Sequence, residues 1–201
     1  MDDIVRQAQI KWPNVPHCYG WLALDARGTW RMRDERAQQR NLQGDKIAHP
    51  ALLSFIARNY GRDEHGCWYF QNGPQRVYVN LAATPYIART DPMQGFILHT
   101  GEPVSTLDGA WITESGNLII KGNEKIAQVD DRDMAECLGM MRLDGKAVQD
   151  EELLEWLEHP EVGAKAAARL TLDMASRHVP VQRIKQADLA TCFRFNAAPA
   201  P

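Results

Sequence analysis

The stretch CWYFQNGPQRVYVNL, residues 67–81, leaves a chain little freedom in what it becomes. Two runs rich in aromatic and β-branched residues flank Asn72-Gly73, a pair favoured in tight hairpin turns because both positions accept a positive φ. Val77, Val79 and Leu81 alternate with Tyr78 and Asn80, which predicts a strand with one buried and one wetter face. A hairpin alone cannot shield its apolar side from water, so the rest of the chain must supply more strands or a helix to cover it.

The remaining patterns supply both. Residues 2–10 predict a short helix that Asp2 or Asp3 can cap, with Ile4, Val5 and Ala8 on one face and Pro13 forbidding continuation. YGWLALDARGTWRMRD predicts a second hairpin, with Gly28 supplying a positive φ at the turn. The polar stretch ERAQQRNLQG has no apolar periodicity and reads as a loop, and HPALLSFIARNYG reads as a helix begun by Pro50 and ended by Gly61. PYIART and GFILHT continue as strands, and AWITESGNLIIKG predicts a hairpin around Ser115-Gly116-Asn117. Helices are predicted over 131–141 and 150–158, then a final hairpin, RLTLDMASRHVPVQRI, and a frayed tail, NAAPAP.

Two of these hairpins align. Gly28 matches Gly116, Trp30 matches Leu118, Met32 matches Ile120, and Lys46-Ile47-Ala48 matches Lys125-Ile126-Ala127, each set followed by a predicted helix. The expected architecture is therefore α+β: antiparallel hairpins with packed helices, in two similar strand–turn–strand–helix units plus a C-terminal helix–hairpin extension. Residues 1–90 would form one lobe, 91–195 the other and 196–201 a disordered tail, with the central strands 67–107 shared.

Over Gly20 to about Met141 the order of motifs resembles a family of bacterial proteins of unknown function. Its members carry a Gly-turn hairpin, a short helix and a strand pair of the form T-P-V-E-K-V-x-I-x-V-E-D-x-P-F. The corresponding residues here are Gly73 to Leu81 followed by Thr84-Pro85-Tyr86. The phrase FQNGPQRVYV is also similar to that of a smaller set of uncharacterised proteins. The resemblance implies a repeated α+β architecture, no assigned activity and a link to signal transduction. Gln75 and Asn80 stand where that family has acids, an insert separates the first hairpin from its helix, and residues 142–201 have no counterpart.

With 201 residues, a net charge of −3 and pI near 6.1, the chain lacks the basic balance of a nucleic-acid binder. Arg27, Arg31, Arg33, Arg36 and Arg40 gather around Trp30, yet Asp25, Asp34 and Glu35 are interleaved, and a solvated hairpin rim is the plainer reading. The N-terminus has no basic or apolar signal region, and no apolar run approaches the roughly 18–20 residues of a transmembrane helix. Cys18, Cys67, Cys137 and Cys192 are scattered without a CxxC pair. A cytoplasmic protein with reduced cysteines is expected, bound to no membrane and no nucleic acid.

The sequence lacks GxGxxG after a strand, GxxxxGK[ST], HExxH and GxSxG. His17, Cys18, His65 and Cys67 are of the types zinc prefers, but neighbours in a strand point to opposite faces, so packed cysteines are the plainer reading. His49, His99 and His159 are the acid–base candidates, though His49 and His159 precede prolines at helix ends, where capping suffices. At the hairpin tip, Gln71, Asn72, Gln75 and Arg76, with Trp68 and Tyr78, offer donors for a small anion or a peptide carboxylate; the plainer alternative is a polar tip above cross-strand aromatic pairs. The expected function is a small-ligand- or protein-binding module in signalling, without catalysis, metal or cofactor. The alternatives are a hydrolase using His and Cys groups near 17–18 and 65–67, and a homodimer joined through an edge strand.

Overall fold

The structure is a computed structural model and describes residues 1–158, 169–174 and 177–201. The chain divides into two compact units, residues 1–85 with 190–201, and residues 86–189. Each carries one sheet, so the fold is α+β.

In the first unit β1 (Cys18–Leu24), β2 (Trp30–Met32), β3 (Asp45–Lys46), β4 (Tyr60–Arg62), β5 (Trp68–Asn72) and β6 (Gln75–Leu81) form a sheet of order β3-β2-β1-β6-β5-β4. Gly28 and Gly73 turn the two hairpins with φ of 77° and 57°. β1 and β6 pair in parallel, Leu22 opposite Val79 and Leu24 opposite Leu81, which joins two antiparallel meanders into one sheet. Helix α3 (Pro50–Arg58) covers one face. It starts at the His49 cap, whose Nδ1 accepts from Leu52 N at 3.4 Å, and it buries Ile56. Phe55 meets Phe70 edge-on at 5.4 Å, while Tyr60 meets Trp30 at 5.1 Å, so the strand aromatics and the helix share one core.

In the second unit β7 (Tyr86–Asp91), β8 (Gly95–Leu98), β9 (Gly109–Thr113), β10 (Leu118–Gly122), β11 (Lys125–Val129), β12 (Met141–Leu143), β13 (Lys146–Ala147), β14 (Leu170–Met174) and β15 (Arg177–Ile184) take the order β13-β12-β14-β15-β9-β10-β11-β7-β8. Again the first strand of a meander, β9, pairs in parallel with the last strand, β15: Ala110 lies opposite Val181 and Ile112 opposite Arg183. β10 is central, and Leu118, Ile119 and Ile120 are all buried, on both faces. A 3-10 turn capped by Asp130 leads into α4 (Met134–Gly139). Helix α5 (Asp150–Glu158) has no fully buried residue and is tied on through Trp156, whose ring lies 3.7 Å from the Arg183 guanidinium.

Several expectations need correction. Residues 35–44 are not all loop: Glu35–Gln39 form helix α2, with the Asp34 carboxylate accepting from Ala37 N at 2.7 Å. Only Ala37 is buried there, so no apolar period announces the helix; buried Arg33 holds it instead, donating to Ala37 O and, just beyond the helix, to Leu42 O and Asn41 Oδ1. Asp2 does not cap α1 (Asp3–Lys11); its carboxylate takes Arg58 and Asn59, and of the expected face Val5 is buried while Ile4 is 73% exposed. Asn59, not Gly61, ends α3, and Gly61 lies in β4. Strands 67–107 are not shared: β5 and β6 belong to the first sheet, β7 and β8 to the second. After the short helix Leu189–Phe193 the tail is tied down, Asn196 N donating to Gly66 O and Leu81 N to Ala197 O. Trp30, expected among exposed arginines, is buried beneath the hairpin, and Arg31 pairs with Asp25 at 2.9 Å. His159 lies outside the described residues, as do Ala175 and Ser176, which the sequence places in the final hairpin.

Among the described residues the sheet edges are short: β3 and β13 are two-residue strands and β4 has three residues, while the outer edge of β8 is taken by 102–104 through Leu98 N to Glu102 O and Val104 N to Phe96 O.

His99, just after β8, accepts from Ile87 N at 3.2 Å, and burial pushes its pKa from 6.5 down to about 4. The unfolded chain therefore takes this proton first as pH falls. Stability is full above pH 6.5 and declines toward pH 4, by about 3 kcal/mol from this group. Denaturant unfolding at intervals from pH 7 to 4 is expected to show that loss, and His99→Gln, which keeps an acceptor, to flatten the profile by a comparable amount.

Candidate functional site

Register decides which hairpin residues can act together. Tyr69 opposes Tyr78 and Gln71 opposes Arg76, so these four share one face; Phe70 opposes Val77 and Asn72 opposes Gln75 on the other. The six residues expected to converge at the tip are therefore divided, Gln71, Arg76 and Tyr78 to one side and Trp68, Asn72 and Gln75 to the other. Gln71 is fully buried and donates to Gly73 O at 2.9 Å, while Gln75 donates to Pro16 O at 2.9 Å. Arg76 stacks 4.6 Å from the Tyr69 ring and Tyr19 lies flat on Tyr78 at 4.7 Å.

On the α3 side the sheet opens into an apolar hollow of about 290 Å³, lined by Cys18, Trp21, Leu22, Met32, Ile47, Leu52, Ile56, Phe70, Asn72 and Val77. The cause lies in the parallel seam. β1 advances from Cys18 to Leu22 while β6 advances only from Val77 to Val79, so β1 bulges outward. Gly20, at φ 79°, makes the bulge possible, and a Cβ there would meet Gln38 Oε1 at 2.6 Å. Trp21 is lifted to the rim at 44% exposure, with Met32 beside it at 52%. Asn72 brings the one carboxamide to an otherwise aliphatic and aromatic wall.

A second hollow in this unit, about 490 Å³, runs between the loop 62–66 and the segment 190–196. Asp63 builds its near wall. One carboxylate oxygen accepts from His65 N and Cys67 N, the other from Tyr78 OH at 2.9 Å. Burial opposes the charge on Asp63, but these hydrogen bonds outweigh it and hold the carboxyl below its usual range. Burial, reinforced by Asp63 against the opposing pull of Arg76, raises the Tyr78 phenol. The far wall closes on Gly66, where a Cβ would lie 2.6 Å from Arg194 O, and Arg194 itself holds a left-handed φ of 55°.

The histidine–cysteine set does not assemble. His17 packs edge-on against Tyr78, Cys18 lines the apolar hollow, His65 lies beside Glu64, and Cys67 Sγ takes a weak contact from Asn196. Among the described residues no three His, Cys, Asp or Glu side chains are grouped to hold a metal ion. Burial, then the charge of Asp63, raises the Cys67 thiol, opposite to what a thiolate nucleophile requires. Sequence patterns missed both hollows, because their walls join residues from distant segments; the one local clue was Asp63 two residues before His65.

The fold and these hollows define an α+β protein whose two sheets are each held by a parallel pairing of first and last meander strands. Residues 1–200 match the family DUF2944, described as "Protein of unknown function (DUF2946)", and the chain belongs to that family. Among solved structures it is similar to a DUF1285 family protein from Silicibacter pomeroyi DSS-3, at 12% identity and a TM-score of 0.50 over 83% of this chain and 82% of that one. A DUF1285 family protein from Shewanella baltica OS155 matches at 11% identity and a TM-score of 0.38, over 56% of this chain and 85% of that one. The first likeness shows the fold alone. No curated protein matches the chain. Among the described residues no helix is long and apolar enough to cross a membrane.

Gly66→Ala is expected to cost at least about 2 kcal/mol, since strain at positive φ adds to a clash with backbone. Gly73→Ala, also at positive φ but with nothing within 4 Å, is expected to cost only about 1 kcal/mol. Paired urea titrations of the two variants measure the difference.

Proposed function

We propose that this protein is a small-ligand-binding module without catalysis, acting in signal transduction, and that the ligand's apolar part occupies the hollow beneath α3. The observation that supports this reading is the cavity over the β1–β6 seam, walled by Leu22, Ile47, Leu52, Ile56, Phe70 and Val77, with Asn72 able to orient a polar end. The hollow is open to solvent at Trp21 and Met32 and apolar in its wall, so an apolar ligand seated there would exchange water for packed contacts. The half-exposed Trp21 and Met32 at its mouth give such a ligand a way in and an apolar lid. The catalytic candidates among the described residues are otherwise engaged, His49 in capping and His99 in accepting from Ile87 N, which favours binding over chemistry. The run β3-β2-β1-β6-β5-β4 has its counterpart in β11-β10-β9-β15-β14-β12, which supports descent from a duplicated unit, the second sheet having β7, β8 and β13 in addition.

The neutral probe N-phenyl-1-naphthylamine tests this. One saturable site is expected, with quenching of Trp21 fluorescence and a dissociation constant of about 1–100 µM. Cys18→Phe, which fills the hollow from its wall, is expected to abolish binding without lowering the melting temperature. Absence of saturable binding, or binding indifferent to Cys18→Phe, would sink the proposal.

A further inference from the structure

The hollow between 62–66 and 190–196 has a different chemistry, and it is built rather than incidental. Its two walls are fastened by backbone: Asn196 N donates to Gly66 O, Cys67 bridges Asn196 in parallel, and Phe195 N closes back on Ala190 O. Its side chains are Arg62, Asp63, Glu64, His65, Thr191, Arg194 and Asn196, with Phe195 at the base.

The acceptors and donors there are unequal in what they have left to give. Asp63 is spent on three internal hydrogen bonds. Glu64 is exposed and turned to its neighbour His65 at 3.5 Å. Asn196 Oδ1 is occupied by Ala198 N, which leaves its Nδ2 with only the weak Cys67 sulfur contact. Arg62 and Arg194, by contrast, reach the hollow from opposite walls, and among the described residues neither guanidinium is held by an ion pair or a side-chain hydrogen bond. The free donors the hollow offers a visitor are two planar forks, a hydroxyl and a carboxamide NH₂. The formal charges of Asp63 and Glu64 offset those of the two arginines, so selection rests on directed hydrogen bonds rather than on net charge.

Two guanidinium forks across a concave site fit a planar or tetrahedral oxyanion bidentately, which a point-like ammonium would not. We propose that this hollow is a second binding site, taking a small organic oxyanion, a phosphomonoester or a carboxylate, clamped between Arg62 and Arg194. A volume of about 490 Å³ admits the anion together with an attached organic group against Phe195. The site is independent of the apolar hollow, since the two share no lining residue.

The test is an amide NMR titration of the full chain with inorganic phosphate and, separately, with succinate, at fixed ionic strength against sodium chloride. Saturable shifts at Gly66 and Asn196 are expected below about 20 mM for at least one anion. Arg62→Gln and Arg194→Gln are each expected to weaken binding by about tenfold or more, and Arg6→Gln, on exposed α1, to leave it unchanged. Phosphate alone saturating would make the ligand a phosphate ester; succinate alone would make it a carboxylate. Chloride reproducing the shifts, neither anion saturating, or both arginine variants binding like the parent would overturn the proposal.

Discussion

Both sheets depend on a pairing that no tight turn can make: the first strand of a meander lying parallel to the last. Parallel neighbours need a long crossover, so β1 meets β6 only after two more strands, α3 and a second meander have been placed. Without that seam the first unit would be two three-stranded ribbons with open edges, each too small to hold its own core. β9 and β15 repeat the arrangement in the second unit. The contacts involved are distant in sequence, and such topologies are slow to form because loop closure must precede their reward.

The seam also explains the hollow beneath α3. Parallel strands of equal advance would have brought Cys18, Leu22, Val77 and Val79 into continuous contact. Instead the bulge around Gly20 lifts Trp21 out of line and leaves α3 spanning a gap, with Leu52 and Ile56 above and Phe70 and Val77 below. A bulge beside a cavity is a familiar device for re-aiming a side chain. The second hollow arises differently, from the chain's return: residues 190–197 rejoin the first unit and lock onto Gly66 and Leu81, so a segment remote in sequence supplies one wall.

Where interactions are local, residues announced the structure. Asn72-Gly73, Gly28 and Gly116 marked three of the hairpins that form, and Pro50 after His49 marked the start of α3. Helix α2 escaped notice because it is held by hydrogen bonds to Asp34 and Arg33 rather than by burial of a stripe of apolar side chains. The tip residues were expected to converge because they are adjacent in sequence. Pleating instead sends Gln71 and Asn72 to opposite faces, and adjacency along a strand separates side chains rather than gathering them.

The sequence by itself determined the α+β class and the hairpin turns, since backbone preference acts within a few positions. The expected alternation of buried and wetter residues did not hold, because both faces of the strands are covered and Tyr78 is buried in the core as Val79 is. Only the tertiary structure decided that first and last strands pair in parallel, that a bulge opens a space under α3, and that the tail completes a wall of the polar hollow. Those choices rest on contacts between segments scores of residues apart. Their free energy comes from burial and from hydrogen bonds formed after the chain has closed on itself, and no local pattern records which partners will meet.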